Sequence, residues 1–175
     1  MKNQTLSIEQ MMHLKELGVD TSKASMVLIA KDERGNEVCW GDLSFKDDTD
    51  KWLCESWDDE LDEPCKKEAY LYYLDAENGD YDHSYREDCG VFTLLDILEL
   101  LPKEISVNGT CYKLYAPIYD CGNKIYIEYV LGRDRSKSLH RELWGGYCWD
   151  TINWRLLGAY RMLCWCTENG YLEQQ

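Results

Sequence analysis

The hydrophobic pattern of the chain predicts an α+β fold of antiparallel hairpins with packed helices, and three observations carry that prediction. Amphipathic segments open on capping residues and close on glycine or proline. Alternating apolar segments flank turn-forming residues. The chain has 175 residues, 45% of them hydrophobic and 13% aromatic, enough for one ordinary core and too apolar for a disordered acidic tail.

Ser7 and, three residues later, Gln10 form a capping-box pair. Ile8, Met11, Leu14 and Leu17 recur behind it, so the first helix runs to Gly18. Residues 24–31, apolar at Met26, Val27, Leu28 and Ile29, predict a strand. The turn chemistry of residues 32–36 and the return over 37–40 make it a β-hairpin. Residues 67–74 are apolar at Ala69, Leu71, Tyr72 and Leu74, over too short a run for periodicity to separate helix from strand. Thr93 with Asp96 caps a helix that places Leu94, Ile97, Leu98 and Leu101 on one face, and Pro102 stops it. Residues 112–119 and 124–131 alternate across the turn 120–123 to give a second hairpin, and 139–144 read as a third strand. Asp150 or Thr151 caps the last helix, which stops at Gly170.

Short matches recur at nearly one offset. Thr5-Leu6 repeats as Thr93-Leu94, Gly35-Asn36 as Gly122-Asn123, Ala69-Tyr70 as Ala159-Tyr160, and Glu77-Asn78-Gly79 as Glu168-Asn169-Gly170. Their common order suggests two duplicated helix-hairpin-helix units, as against chance recurrence, and a duplication would make residues 67–77 a helix. The organisation expected is one compact domain in three parts. Residues 1–46 form a helix plus hairpin, 47–88 an acidic segment with a second helix or strand, and 89–175 a helix, a three-stranded antiparallel region and the C-terminal helix.

Charge is concentrated in the middle part. Residues 47–88 hold sixteen acids against four bases, a net −12 of the chain's −14. The segment begins as a surface loop, and Trp52, Leu53, Trp57 and Leu61 interrupt the acids so that a turn or short strand anchors them, with Pro64 breaking the run beyond. Such a balance argues against direct nucleic-acid contact, which needs lysine and arginine, and favours a basic protein surface as partner. Asp47, Asp48, Asp58, Asp59, Glu60 and Asp62 are the residues expected to steer it, and Trp52 and Trp57 to anchor it.

Nine cysteines and three histidines carry no C-x-x-C pair and no zinc-ligand spacing, and the odd cysteine count suits free thiols. No cofactor or metal is expected; the weak alternative is a metal-responsive or small-molecule site using His83, Asp82, Asp88 and Cys89. The sequence contains no nucleophile-elbow, zinc-protease or dinucleotide-binding motif, so the chain reads as a non-enzyme. Apolar runs fall short of the roughly 18 residues that span a bilayer, and the polar start leads into a helix, which points to a cytoplasmic protein with no membrane partner. The last helix carries two stripes: Ile152, Leu156, Ala159, Leu163 and Cys166 on one face, and Trp154, Gly158, Arg161 and Trp165 on the other. Either the helix is covered on both sides, or Trp154, Arg161 and Trp165 form a second interface, including one with another copy of the chain. Arg133, Arg135, Lys137, His140 and Arg141 form the basic cluster, which reads as a solvated hairpin tip or as a surface that docks on the acidic stretch of its own or a second chain.

The strings HLKELGVDTSKASM (13–26), DHSYREDCGVFTLLDILELLP (82–102) and AYRMLCWCTENGYL (159–172) resemble uncharacterised small acidic proteins of Bacteroides-type gut bacteria and their phages and mobile elements. The resemblance spans about half the chain and carries over no catalytic residue. It implies an accessory role in a mobile element, of the kind filled by acidic inhibitors, immunity proteins and mimics of nucleic acid.

Crowding −12 into about a quarter of the chain raises some carboxylate pKa values above their unfolded references. The native state then binds more protons than the unfolded chain as pH falls through those values, and repulsion is relieved there. Thermal melts at low ionic strength should show greater stability near pH 5 than near pH 8, with the gap narrowed by about 0.5 M salt, where screening shortens to a few Å. Equal melting temperatures, or a higher one at pH 8, would mean that the acids are already neutralised within the fold.

Overall fold

The computed structural model describes residues 5–31, 37–38, 43–45, 52–58, 63–75, 89–117, 125–132, 137–145 and 151–172. The fold is α+β, three helices with antiparallel sheets. By its contacts the chain divides into two compact units, one made of Met1–Val19 and Phe92–Gln175, the other of Asp20–Val91. The second unit is thus inserted into the first, and the acidic segment 47–88 belongs to it rather than standing alone.

Helix α1 (Ile8–Glu16) opens the first unit. Ser7 closes the expected capping box: its Oγ accepts from the Gln10 N–H at 3.3 Å, and its own N–H donates to Gln10 Oε1 at 2.9 Å. Gly18, at φ +85°, ends the helix in a conformation that residues with a Cβ rarely adopt. The chain re-enters this unit beside α1, where Thr5 bridges Thr93 and the Leu6 N–H donates to the Phe92 carbonyl at 2.9 Å. Helix α2 (Leu94–Leu100) begins at once. Its capping box uses Thr93 and Asp96, with Asp96 Oδ2 accepting from both the backbone N–H (2.7 Å) and the hydroxyl (2.9 Å) of Thr93.

A four-stranded meander completes the unit: β7 (Glu104–Val107), β8 (Thr110–Tyr115), β9 (Ile125–Leu131) and β10 (Lys137–Gly145), paired in that order. The β8–β9 hairpin and the third strand agree with expectation. Strand β7 adds a fourth to the three expected; it is joined to β8 by Asn108-Gly109, both at positive φ, the two-residue turn whose twist suits a hairpin. Helix α3 (Thr151–Glu168) lies against β10, β9 and α2. Leu156, Ala159, Leu163 and Cys166 are buried, as one expected stripe requires, and so are Gly158 and Met162. The core includes Leu6, Met11, Leu14, Phe92, Ile97, Leu101, Ile105, Ile127, Tyr129 and Met162, none more than 1% exposed.

The second unit is an all-antiparallel sheet ordered β2-β1-β5-β4-β3, from β1 (Met26–Lys31), β2 (Glu37–Val38), β3 (Leu43–Phe45), β4 (Trp52–Asp58) and β5 (Glu63–Asp75), with β6 (Gly90–Val91) also paired to β1. The β1–β2 hairpin forms as expected, Ala30 opposite Val38. Val27, Leu28 and Ile29 of β1 are all fully buried, the unbroken apolar run of a central strand. β5 pairs with β4 through Glu63–Ala69 and with β1 through Tyr70–Asp75. Pro64 falls in the half bonded to β4 alone, where a missing N–H costs no second ladder bond. Because residues 63–75 are strand, the helix that a duplication requires at 67–77 does not form over 67–75, and two helix-hairpin-helix units are not seen. Among the described residues no helix is long and apolar enough to cross a membrane.

Helix α3 and strand β10 approach each other closely at Gly158. A Cβ built on Gly158 would run into the Leu143 carbonyl oxygen and meet Trp144 Cα at 3.3 Å, so only glycine lets α3 sit this close to β10. Gly158→Ala should lower stability by about 1–3 kcal/mol through overpacking, although alanine favours an isolated helix by about 1 kcal/mol. Denaturant unfolding checks the sign; a stabilised variant would show that the helix can lift off the strand at no cost.

Candidate functional site

The residues singled out for partner binding distribute unevenly. Trp52, Trp57 and Asp58 lie on β4, with Trp52 opposite both Phe45 and Ala69, Trp57 opposite Pro64, and Asp58 opposite Glu63. Asp47, Asp48, Asp59, Glu60 and Asp62 lie outside the described residues. β4 is bonded on both sides only at Trp52–Cys54; from Glu55 onward β5 is its only neighbour among the described strands. The register sets Glu55 opposite Lys66 and closes on Asp58 opposite Glu63. Residues 58–63 read Asp-Asp-Glu-Leu-Asp-Glu, five acids and no base. The structure therefore fixes the ends of an acidic hairpin within the inserted unit.

For the metal alternative, His83, Asp82 and Asp88 lie outside the described residues, and Cys89 is fully buried just before β6. Among the described residues no three His, Cys, Asp or Glu side chains are grouped to hold a metal ion.

On α3 the second stripe separates into different environments. Trp154 is 40% exposed and Arg161 is exposed, while Gly158 is buried against β10. Trp165 is half-buried, with the His140 ring stacked on it at 4.3 Å and 4° between planes and Tyr171 tilted against it at 5.1 Å. His140 Nε2 in turn lies 2.9 Å from Glu142 Oε1. Of the basic cluster, His140 is thus built into an aromatic stack rather than a solvated tip. β10 places it there by a register shift at Leu139, between Ser138 and His140. A second shift at Trp144 accompanies a buried indole whose Nε1–H donates to the Pro117 carbonyl at 3.0 Å.

One constellation has no counterpart among the sequence motifs. His13 Nδ1 of α1 is 2.7 Å from the Tyr160 hydroxyl and 3.8 Å from Cys164 Sγ, both on α3. Tyr160 and Cys164 are one turn apart and so share a helix face. Burial, with the neighbouring thiol adding to it, pushes the Tyr160 hydroxyl up to about 12. Burial also raises the Cys164 thiol, reinforced by the fields of Glu168 and Glu142 and opposed by the Tyr160 hydrogen bond. Two residues on, burial pushes Cys166 up to about 11; its Sγ–H donates to Tyr129 Oη at 3.6 Å, and Tyr129 donates to the Pro102 carbonyl at 2.7 Å. These thiols are protonated at neutral pH, unlike an activated nucleophile. Cys111 is the exposed thiol among the described free cysteines; it donates to Glu104, which also pairs with Lys113 at 2.7 Å.

Comparison of the chain with protein-family models, curated proteins and solved structures gave no significant match.

Cys166 and Tyr160 keep their protons to higher pH in the fold than their ordinary values of 9.0 and 10.0 allow. Between pH 9 and about 12 the unfolded chain therefore binds fewer protons than the native one, and stability falls as pH rises through that window. Unfolding midpoints measured from pH 8.5 upward, about half a unit below the first ordinary value, should decline, with a shallower slope in Cys166→Ala. An unchanged slope would show that Cys166 is not shielded from solvent.

Proposed function

We propose that this protein is a non-enzymatic acidic binding protein whose inserted unit engages a basic protein surface, as an inhibitor, an immunity protein or a mimic of nucleic acid. The observation that carries the reading is the partition of charge between the units. Asp20–Val91 holds twenty-one acids and eight bases, a net −13, whereas the remainder holds twelve and eleven, a net −1. A near-neutral unit bearing a strongly negative insertion suits steering of a cationic partner toward the insertion.

Within the insertion the β4–β5 hairpin is the favoured contact. The register sets Asp58 opposite Glu63, so acids of both strands meet at this end of the hairpin, and a cationic side chain of a partner is the charge expected there. Trp52 and Trp57, on the same strand, supply the apolar area that charge alone does not provide. The resemblance to acidic proteins of mobile elements fits this reading, which takes the protein to act in the cytoplasm. Trp154 and Arg161 on α3 offer a second contact, for a partner or for another copy of the chain.

Pull-down from a bacterial lysate at about 50 mM salt should retain basic proteins that elute by about 0.5 M. The variant carrying Asp58→Asn, Asp59→Asn, Glu60→Gln and Asp62→Asn should lose them, and Trp57→Ala should weaken binding about tenfold or more. Retention of the same proteins by the neutralised hairpin would remove the hairpin as the contact; recovery of no basic protein by the parent chain would remove the function.

A further inference from the structure

Asparagine followed by glycine is a labile pair, because the glycine nitrogen, unshielded by a side chain, attacks the asparagine side-chain carbonyl through a five-membered ring. The chain contains three such pairs, Asn78-Gly79, Asn108-Gly109 and Asn169-Gly170, and the first lies outside the described residues. The other two are held very differently. Asn169 donates from Nδ2 to the Trp165 carbonyl at 2.8 Å, and the Gly170 N–H donates to the Thr167 carbonyl at 3.0 Å. Both reacting groups are engaged, and these bonds must break before the ring closes. Asn108 and Gly109 are exposed at the tip of the β7–β8 hairpin, and among the described residues neither the Asn108 side chain nor the Gly109 N–H has a hydrogen-bond partner. A Cβ built on Gly109 would meet nothing within 4 Å, so the space around it is open.

We infer that Asn108 is a modification site, at which the chain deamidates spontaneously to leave an isoaspartyl or aspartyl carboxylate at position 108. The Gly109 nitrogen gives up its proton to hydroxide and bonds to Asn108 Cγ. The Cγ–Nδ2 bond breaks, and ammonia leaves with a proton taken from water. A second water then opens the cyclic imide. Addition at Cγ restores the ordinary main chain with an aspartyl side chain, whereas addition at the backbone carbonyl carbon routes the chain through Cγ and leaves an isoaspartate. One water is consumed for each ammonia released, and nothing is oxidised or reduced.

The fold governs both the rate and the consequence. Asn108 at φ +50° and Gly109 at φ +76° form the turn that suits the hairpin, and ring closure requires Asn108 to leave that conformation, so reaction follows opening of the turn. β7 is four residues long and stands at the sheet edge, with β8 as its one neighbour among the described strands, which keeps that opening local. An isoaspartate adds a main-chain carbon and a negative charge to a two-residue loop, which then no longer fits the Val107–Thr110 pairing. The site belongs to the first unit, so it neither uses nor tests the acidic insertion.

The test incubates the full reduced chain in heavy-oxygen water, in mild alkali and in mild acid, and maps its peptides by mass. Each event exchanges the amide nitrogen for a labelled oxygen, and an isoaspartate-specific carboxyl methyltransferase marks the isoaspartyl product. Label should accumulate at position 108 about tenfold or more faster than at position 169, and faster in alkali, where the attacking nitrogen loses its proton. The converted chain should show faster amide exchange at Val107 and Thr110 than the parent. In Asn108→Gln, whose longer side chain closes its ring far more slowly, label at position 108 should be lost; if that variant is misfolded by circular dichroism, the two positions of the parent decide alone. Conversion at 169 as fast as at 108, or none at 108 in the folded chain while the same chain in denaturant converts there, would overturn the inference and show that the turn protects its own asparagine.

Discussion

The first unit depends on how closely one helix can approach one strand. α3 crosses β10 with its backbone nearly touching the Leu143 carbonyl, and Gly158 is the residue that permits it. From that crossing the other contacts of the unit take their places. Ala159, Met162, Leu163 and Cys166 reach the core, Trp165 meets the His140 ring, and Tyr160 is carried within hydrogen-bond distance of α1. The shift of register at Trp144 sits beside the same contact, so strand irregularity and helix glycine are two halves of one adjustment. A helix covered on so much of its circumference leaves little outward face, at Trp154, Arg161 and Glu168.

The inserted unit is built on a different pattern of contacts. Its interior strand β1 is apolar over Val27–Ile29 and flanked on both sides, while most acids of its described strands fall on β4 and β5. β5 serves two neighbours in succession, one half bonded to β4 and the other to β1. A single long strand thus ties the acidic hairpin to the buried part of the sheet, so the hairpin's register is not set by its own turn alone.

The features legible in the sequence are local ones. Capping boxes at Ser7 and Thr93, the glycine ends at Gly18 and Gly170, and the alternation of β8 are each written within a few residues, and each is present in the fold, whereas β9 is buried without a break over Ile127–Val130. The sequence of β5 stands between helix and strand because Leu71, Tyr72 and Leu74 fit either period, and its pairing with β1, some forty residues earlier, decides it. The apparent repeats are matches of two or three residues and do not correspond to repeated structure. Asn108-Gly109 is a legible hairpin signal, masked by its closeness to the proline that ends the helix before it. For the site residues the charge segregation is visible in the chain, but its assignment to an insertion is not. No sequence rule brings His13 to Tyr160, 147 residues apart; that meeting arises from two helices packing in one unit.

The interrupted course of the first unit bears on the order in which the molecule is made. A ribosome completes the 72 residues of the insertion, about 4–14 s of synthesis, before the strands and helices that cover α1 begin to emerge. During that interval α1 has its capping box but not its contacts with Phe92 and Tyr160, and nine residues are too few for a helix to hold by itself. The inserted sheet, whose pairings are complete once Val91 has left the exit tunnel, is free to form first. The inserted sheet can therefore be complete while the rest of the protein is still a nascent chain, and the first unit closes around α1 only at the last helix.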